Sequence, residues 1–283
     1  LSNYIFFQQM LEVGIPPESI SFLPCEPNQF FKYVSHSPEM AGLAFTGSSS
    51  VFEHIYKTVG KNISKYNNFP RLIGETGGMN FHFVFNDVVD IEDIAFKTVR
   101  GAFEYSGQKC SATSRIYLPK SKADQIIGKL ILETMKLKVD SPEKKGTFTS
   151  AVINRNSFEK NIKYIEDALD DPDNELIVGG TYDNKEGYYI QPTIFLCNNH
   201  NNILMNEEMF GPILSVFIYD DNDVEKTLSM CSKNKYGLTG AIFTESMDNM
   251  MLSEKYLDES CGNFYINDKS TGSVVFQQPF GGS

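Results

Sequence analysis

Short apolar runs of strand length alternate with amphipathic stretches of helix length through nearly all 283 residues. "ISFLP" (20–24), "MAGLAFTG" (40–47), "PRLIGE" (70–75), "FHFVF" (81–85) and "SRIYLP" (114–119) read as strands. So do "ELIVGG" (175–180), "YYIQPTIF" (188–195), "ILSVFIY" (213–219), "GAIFT" (240–244) and "GNFYIN" (262–267). Helical spacing falls at about 5–13, 51–64, 90–105, 123–138, 158–171 and 223–234. In the third of these, Ile91, Ile94, Ala95, Val99 and Ala102 share one face, and Asp90 stands where an N-cap belongs, with Asp93 three residues on. Parallel strands need a crossover of a dozen or more residues, and helices supply it. The pattern predicts an α/β protein with largely parallel sheets.

Charge narrows the partners. The formal net charge is −11. Phosphate-rich surfaces select clustered Lys and Arg, so nucleic acid and anionic membranes are not expected partners. No apolar run approaches the ~20 residues that span a bilayer. The five cysteines, at 25, 110, 197, 231 and 261, are odd in number and never in CxxC spacing, so neither a zinc ribbon nor a disulfide framework fits and no metal site is expected. Free thiols suit a reducing compartment. Leu1 in place of Met, and an end in the glycine turn "QQPFGGS", read as an internal piece of a longer protein.

Five stretches could carry chemistry. In "AFTGSSSVF" a strand runs into Gly47 and three serines before a helix, an arrangement whose N–H groups and dipole favour a phosphate; it reads equally as a serine-capped helix start. In "LIGETGG", Glu75 ends an apolar strand, where a carboxyl can act as a base near neutral pH or stand as an exposed turn residue. In "EYSGQKCSATSRIYLP", Cys110 is a nucleophile if Lys109 or backbone N–H groups favour its thiolate, and a small buried hydrophobe if they do not. "NEEMFGP" and "PFGGS" read as turns, with acids in the first and bare backbone N–H groups in the second.

Taken together and in this order, these motifs resemble the aldehyde dehydrogenase superfamily along essentially the whole chain. Within it, "FPRLIGETGGMNFHFVF", "AFEYSGQKCSA", "GTFTSAVI", "EEMFGPILSV" and "GNFYINDKSTGSVVFQQPFGG" are similar to the delta-1-pyrroline-5-carboxylate (glutamate-semialdehyde) dehydrogenase branch. The resemblance implies a partial Rossmann-type nucleotide domain over residues 1–78 and an α/β catalytic domain over 79–283. It implies NAD as cofactor, a small-molecule aldehyde as substrate, a homodimer or higher homo-oligomer at full length, and a mitochondrial matrix location.

The resemblance also assigns residues. Cys110 matches the catalytic thiol and Glu75 the general base. Gly47, Ser48, Ser49, Ser50 and Val51 match the turn beside the cofactor's pyrophosphate. Glu208 matches the acid at the nicotinamide ribose, with Phe210 beside the same ring. Ser111, Gly282 and Ser283 match the anchor of the substrate's α-carboxylate, and Phe280 an aromatic wall of the pocket. The oxyanion asparagine and the lysine at the adenosine ribose would lie upstream of Leu1, so this stretch by itself is expected to be inactive. Met79, Phe276 and Ser283 depart from the usual Lys, Gly and Ala. Another acyl substrate, a truncated structural copy, and a thiol hydrolase using His36, His54, His82 or His200 are the competing readings; none of those histidines sits in a dyad motif.

Overall fold

A computed structural model of the chain describes residues 2–274 and 276–283. It divides into two compact units, Leu1–Gly74 and Glu75–Ser283. The break falls four residues before the expected 78 (78 − 74). Gly77, Gly78, Met79 and Asn80 are all buried, and Gly78 and Asn80 bond to residues beyond 100, which ties the "TGGMN" turn to the second unit.

The first unit holds helices α1 (Ser2–Glu12) and α2 (Pro27–Val34), strand β1 (Gly42–Thr46), helix α3 (Ser49–Lys61) and strand β2 (Arg71–Glu75), whose last residue opens the second unit. β1 and β2 form a two-stranded sheet. Met40, Ile55 and Val59 make a small core with Phe31, Leu43, Phe45, Phe52 and Leu72 around it. "ISFLP", expected as a strand, is irregular. Its apolar content serves side-chain packing instead, with the Phe22 ring 5.6 Å from Tyr4 and 5.9 Å from Phe7.

The second unit runs β3 (Asn80–Val84), α4 (Ile91–Phe103), β4 (Thr113–Pro119), α5 (Lys120–Met135), α6 (Arg155–Asp170), β5 (Asn174–Val178), β6 (Tyr182–Asp183), β7 (Tyr189–Ile190) and β8 (Thr193–Cys197). It continues through α7 (Ile203–Asn206), β9 (Ile213–Tyr219), α8 (Val224–Ser232), β10 (Thr239–Phe243), α9 (Met247–Leu257) and β11 (Asn263–Ile266). Seven strands form one sheet in the order β11-β10-β3-β4-β9-β8-β5. Every pairing in it is parallel except β5 with β8 at the edge. The run "YYIQPTIF" splits into β7 and β8 around Pro192, which has no N–H for a ladder.

Period-two alternation places Phe81, Phe83 and Tyr117 on one face of the sheet and Val84, Ile116 and Leu118 on the other, each face covered by helices. α4 buries Ile94, Ala95, Val99 and Ala102, with Ile91 half-buried at its start, and Asp90 accepts the Asp93 N–H at 2.9 Å. α2 and α9 are not marked by the sequence pattern; both owe their place to packing.

Candidate active site

Cys110 and Ser111 lie in the loop that leads into β4, Glu208 and Phe210 in the loop that leads into β9, and Glu75 ends β2 just before the turn into β3. They gather at the amino ends of the parallel sheet, opposite the carboxyl ends where open α/β sheets usually bind ligands.

The loop before Cys110 is held in an unusual shape. Tyr105, Ser106 and Gly107 all have left-handed backbone, with φ of 59°, 57° and 67°. Two of the three carry side chains, so the surroundings must enforce the conformation. Thr149 does so: its Oγ1 accepts the Ser106 N–H at 2.7 Å and bonds the Ser106 hydroxyl at 2.8 Å, while that hydroxyl also reaches the Ser150 carbonyl. Gly107 can be nothing larger, because a Cβ there would fall 2.1 Å from the Gly211 carbonyl oxygen.

Asn80 clamps the other side of Cys110. Its Nδ2 donates to the carbonyls of Cys110 and Ala112, both at 2.7 Å, and its Oδ1 accepts the Thr239 N–H at 3.0 Å. Both amide hydrogens are used, and the partners dictate the amide's orientation. Arg115, fully buried, holds the neighbouring Met79 carbonyl through Nε at 3.0 Å. Neither Asn80 nor Thr149 stands out in the sequence. The one trace of Asn80 is a polar residue at the mouth of an otherwise apolar strand.

Cys110 is half-buried, and two carboxylates bear on its thiol. Burial raises its pKa; the charge of Glu208 and, less, of Glu75 add to this, while the N–H groups of Ser111 and Cys110 itself pull the other way. Lys109, one of the two groups that could favour the thiolate, is engaged elsewhere: its Nζ donates to Glu104 at 2.8 Å. Burial pushes Glu104 up, but Lys109 and Arg100 outweigh it and hold the carboxyl below its ordinary range. Cys197, Cys231 and Cys261 are buried and pushed to about 12, about 11 and about 12, so they are inert thiols; Cys25 is exposed.

Glu208 is fixed by the glycine turn. Its Oε1 accepts the Gly78 N–H at 3.0 Å, and a Cβ at Gly77 would fall 2.2 Å from its Oε2. Burial raises its pKa, offset in part by the Gly78 N–H and by Lys160. Glu208→Gln would remove the larger of the two charges facing the thiol. Iodoacetamide alkylation of Cys110 at neutral pH is expected to quicken severalfold and the rate–pH curve to move to lower pH. An unchanged curve would show that the thiol does not feel Glu208. Phe210, two residues on, is exposed at φ 54°.

A cleft of about 330 Å³ opens beside Ser111, lined by Lys109, Thr271, Gly272, Ser273, Gln278 and Phe280 among others. Ser111 and Phe280 both line this cleft, together with Gly272 and Ser273; Gly282 and Ser283 are not in its lining. The terminal turn is occupied: the Gly281 N–H donates to Asn263 Oδ1 at 3.2 Å and the Ser283 N–H to the Gly237 carbonyl at 2.9 Å. Gly281 instead faces the base, since a Cβ there would lie 3.3 Å from Glu75 Oε1. Phe276 has φ 66°, backbone that favours glycine, and its side chain is fully exposed.

The hydrolase reading finds no dyad. His36 bonds the Lys32 carbonyl, His54 packs edge-on to Phe31, His82 is buried among hydroxyls and His200 bonds Tyr117. In the first unit, Gly47 and Ser48 join β1 to α3. Ser48 makes no side-chain capping bond to the helix, and its carbonyl takes the N–H groups of Val51 and Phe52 at 3.1 and 3.2 Å. A Cβ at Gly47 would strike the Phe45 ring at 2.5 Å.

The fold is that of an α/β protein with a mostly parallel sheet, and the chain belongs to the aldehyde dehydrogenase family, whose model matches residues 1–283. It is 44% identical over 285 residues to the mitochondrial delta-1-pyrroline-5-carboxylate dehydrogenase of Homo sapiens, and 44% over 286 residues to that of Dictyostelium discoideum. All of this chain is covered in both, against 50% and 51% of the relatives, so it spans about half their length. The Mycobacterium tuberculosis delta-pyrroline-5-carboxylate dehydrogenase bound with NAD superposes with a TM-score of 0.92 at 34% identity, covering 99% of this chain and 51% of that one. A Thermus 1-pyrroline-5-carboxylate dehydrogenase with bound NAD gives 0.91 at 30%, covering 98% and 52%.

Proposed function

We propose that the full-length protein oxidises L-glutamate 5-semialdehyde, formed from delta-1-pyrroline-5-carboxylate, to glutamate in proline catabolism, with NAD as oxidant. The observation that carries this reading is Cys110, under the influence of two carboxylates, beside a cleft lined by the hydroxyls of Ser111, Thr271 and Ser273 and by Phe280. The names of its relatives support it, and the "mitochondrial" in several of them supports a mitochondrial matrix location. In this reading the first unit is the C-terminal part of an NAD-binding domain, the second is the catalytic domain, and the full-length protein is a homo-oligomer.

The residues present fit two parts of NAD. The turn into α3, with no side chain capping the helix, offers the N–H groups of Gly47, Ser48, Ser49 and Ser50 to the pyrophosphate, with Val51 closing the turn on the Ser48 carbonyl. Glu208, with one oxygen on Gly78 and glycine at 77 leaving the other open, suits ribose hydroxyls, and exposed Phe210 suits the ring beside them. NAD, when bound, supplies the hydride acceptor. The chain does the rest. The Cys110 thiolate adds to the aldehyde carbon, its own N–H facing the oxyanion that forms. Once the hydride has left, a thioester to Cys110 remains. Glu75 takes a proton from water, which attacks the thioester and releases glutamate and the thiol.

Substrate choice is testable at Ser111. Its hydroxyl bonds Thr271 Oγ1 at 2.8 Å, and a hydroxyl that accepts there keeps its proton for a carboxylate in the cleft. A bond to a charged group contributes roughly 1.5–3 kcal/mol. Ser111→Ala is therefore expected to cost about one to two decades in kcat/KM for glutamate semialdehyde and little for pentanal, since ~1.4 kcal/mol is tenfold. Equal losses for both aldehydes would assign Ser111 to loop support and point to another aldehyde as substrate.

A further inference from the structure

His82 is a fully enclosed titratable group of the second unit. It sits on β3 beside the Phe243 ring, 5.1 Å away and edge-on, and has no exposed surface. An apolar residue would fill that space, so the imidazole must be kept for its nitrogens. Nε2 accepts the Ser270 N–H at 3.1 Å and meets Thr113 Oγ1 at 3.0 Å. A backbone N–H only donates, so Nε2 is the bare nitrogen and Nδ1 carries the proton to Thr98 Oγ1 at 2.9 Å. Thr113 in turn bonds Ser270 Oγ at 3.0 Å. Thr98, Thr113 and Ser270 are each no more than 1% exposed. Burial pushes the His82 pKa down to about 3, which keeps the ring neutral and its lone pair available at physiological pH.

What the ring holds is the loop of the cleft. Ser270 is followed directly by Thr271, Gly272 and Ser273, all in the cleft lining. Thr271 meets Ser111, and Ser270 Oγ donates to the Ser111 carbonyl at 3.4 Å. At the other end Ser273 Oγ bonds the Tyr265 hydroxyl at 2.7 Å and accepts from Gln278 at 3.2 Å. In the described hydrogen bonds His82 meets neither Cys110 nor Glu75.

We propose that His82 is a positioning residue: it pins the Ser270–Ser273 loop to the sheet that carries the nucleophile, and so sets the cleft's grip on the anionic end of the substrate without taking part in the chemistry at the aldehyde. The substrate side of this inference rests on the function proposed above. The pinning of the loop does not.

The test uses the full-length protein and two substitutions. His82→Phe keeps a ring against Phe243 and deletes the acceptor; in His82→Gln the side-chain oxygen can take the Ser270 N–H. His82→Phe is expected to raise KM for glutamate semialdehyde about tenfold, the effect of one lost buried hydrogen bond, with kcat for pentanal within about twofold of wild type. Amide exchange over residues 268–274 should accelerate at least about tenfold, because opening the loop no longer breaks the bond to Nε2. His82→Gln should restore both. If the Phe variant does not fold, His82→Asn, long enough for Thr98 and too short for Ser270, carries the same expectation. Unchanged exchange at Ser270 would overturn the proposal, as would equal losses on both aldehydes. A wild-type protein that ignores glutamate semialdehyde would refute the functional reading instead, and exchange, which needs no substrate, would still decide the role of His82.

Discussion

Cys110→Ala in the full-length protein is expected to lower aldehyde-dependent NAD reduction by about 10⁴-fold or more, the scale seen when a covalent nucleophile is removed. The reason is chemical. Without the sulfur no tetrahedral adduct forms, and hydride loss from a free aldehyde has no path through the remaining groups. The three buried cysteines cannot substitute, since burial holds each far above its ordinary pKa. Folding should be little affected, because the Asn80 clamp grips the Cys110 carbonyl and not the side chain. Thermal unfolding close to wild type, measured beside the activity, separates loss of the nucleophile from loss of the fold. Turnover within tenfold of wild type would end the thioester mechanism.

Glu75→Gln is expected to act at a different step. Acylation needs the thiolate, and removing the Glu75 charge slightly favours it, because that charge contributes to the raised thiol pKa. Deacylation needs a base for water, and an amide is not one. The expected result is a burst of about one NADH per active site in rapid mixing, then a steady state slowed by roughly 10²–10⁴-fold, the usual contribution of a general base. Intact-protein mass spectrometry of the stalled enzyme should find an acyl group on Cys110. No burst would place Glu75 before hydride transfer. A full steady-state rate would remove it from the mechanism.

The alternation of strand and helix was readable because it follows from one-dimensional period. "FHFVF", "SRIYLP" and "ILSVFIY" bury both faces, and the helix at 90–105 shows its apolar stripe and its Asp90 cap. Cys110 and Glu75 were readable as residue types in suggestive settings, and the likeness of their motifs to a known family gave them roles. Expectations failed where an apolar run met a three-dimensional alternative. Phe22 found aromatic partners at Tyr4 and Phe7 and left "ISFLP" without a strand. Of the two groups that could favour the thiolate, Lys109 found Glu104, and the backbone N–H groups of Ser111 and Cys110 remain, set against two carboxylates.

Local pattern therefore determined the α/β class and the largely parallel pairing; the roles proposed for Cys110 and Glu75 rest on the likeness of their motifs to a family. Tertiary structure decided which groups surround them. Asn80 and Cys110 are 30 residues apart, Ser106 and Thr149 are 43, and His82 and Ser270 are 188. Contacts of that separation leave no periodic mark, since they depend on strand order and on how loops close at one end of a sheet. The glycine turns show the same limit. "TGS" at 271–273 and "GGS" at 281–283 look alike in sequence, but the N–H groups of Gly281 and Ser283 are bound to Asn263 and Gly237, and only the first turn lines the cleft. A bare backbone donor is a site only if the fold leaves it unpaired, and the pairing is settled by neighbours that the local sequence does not contain.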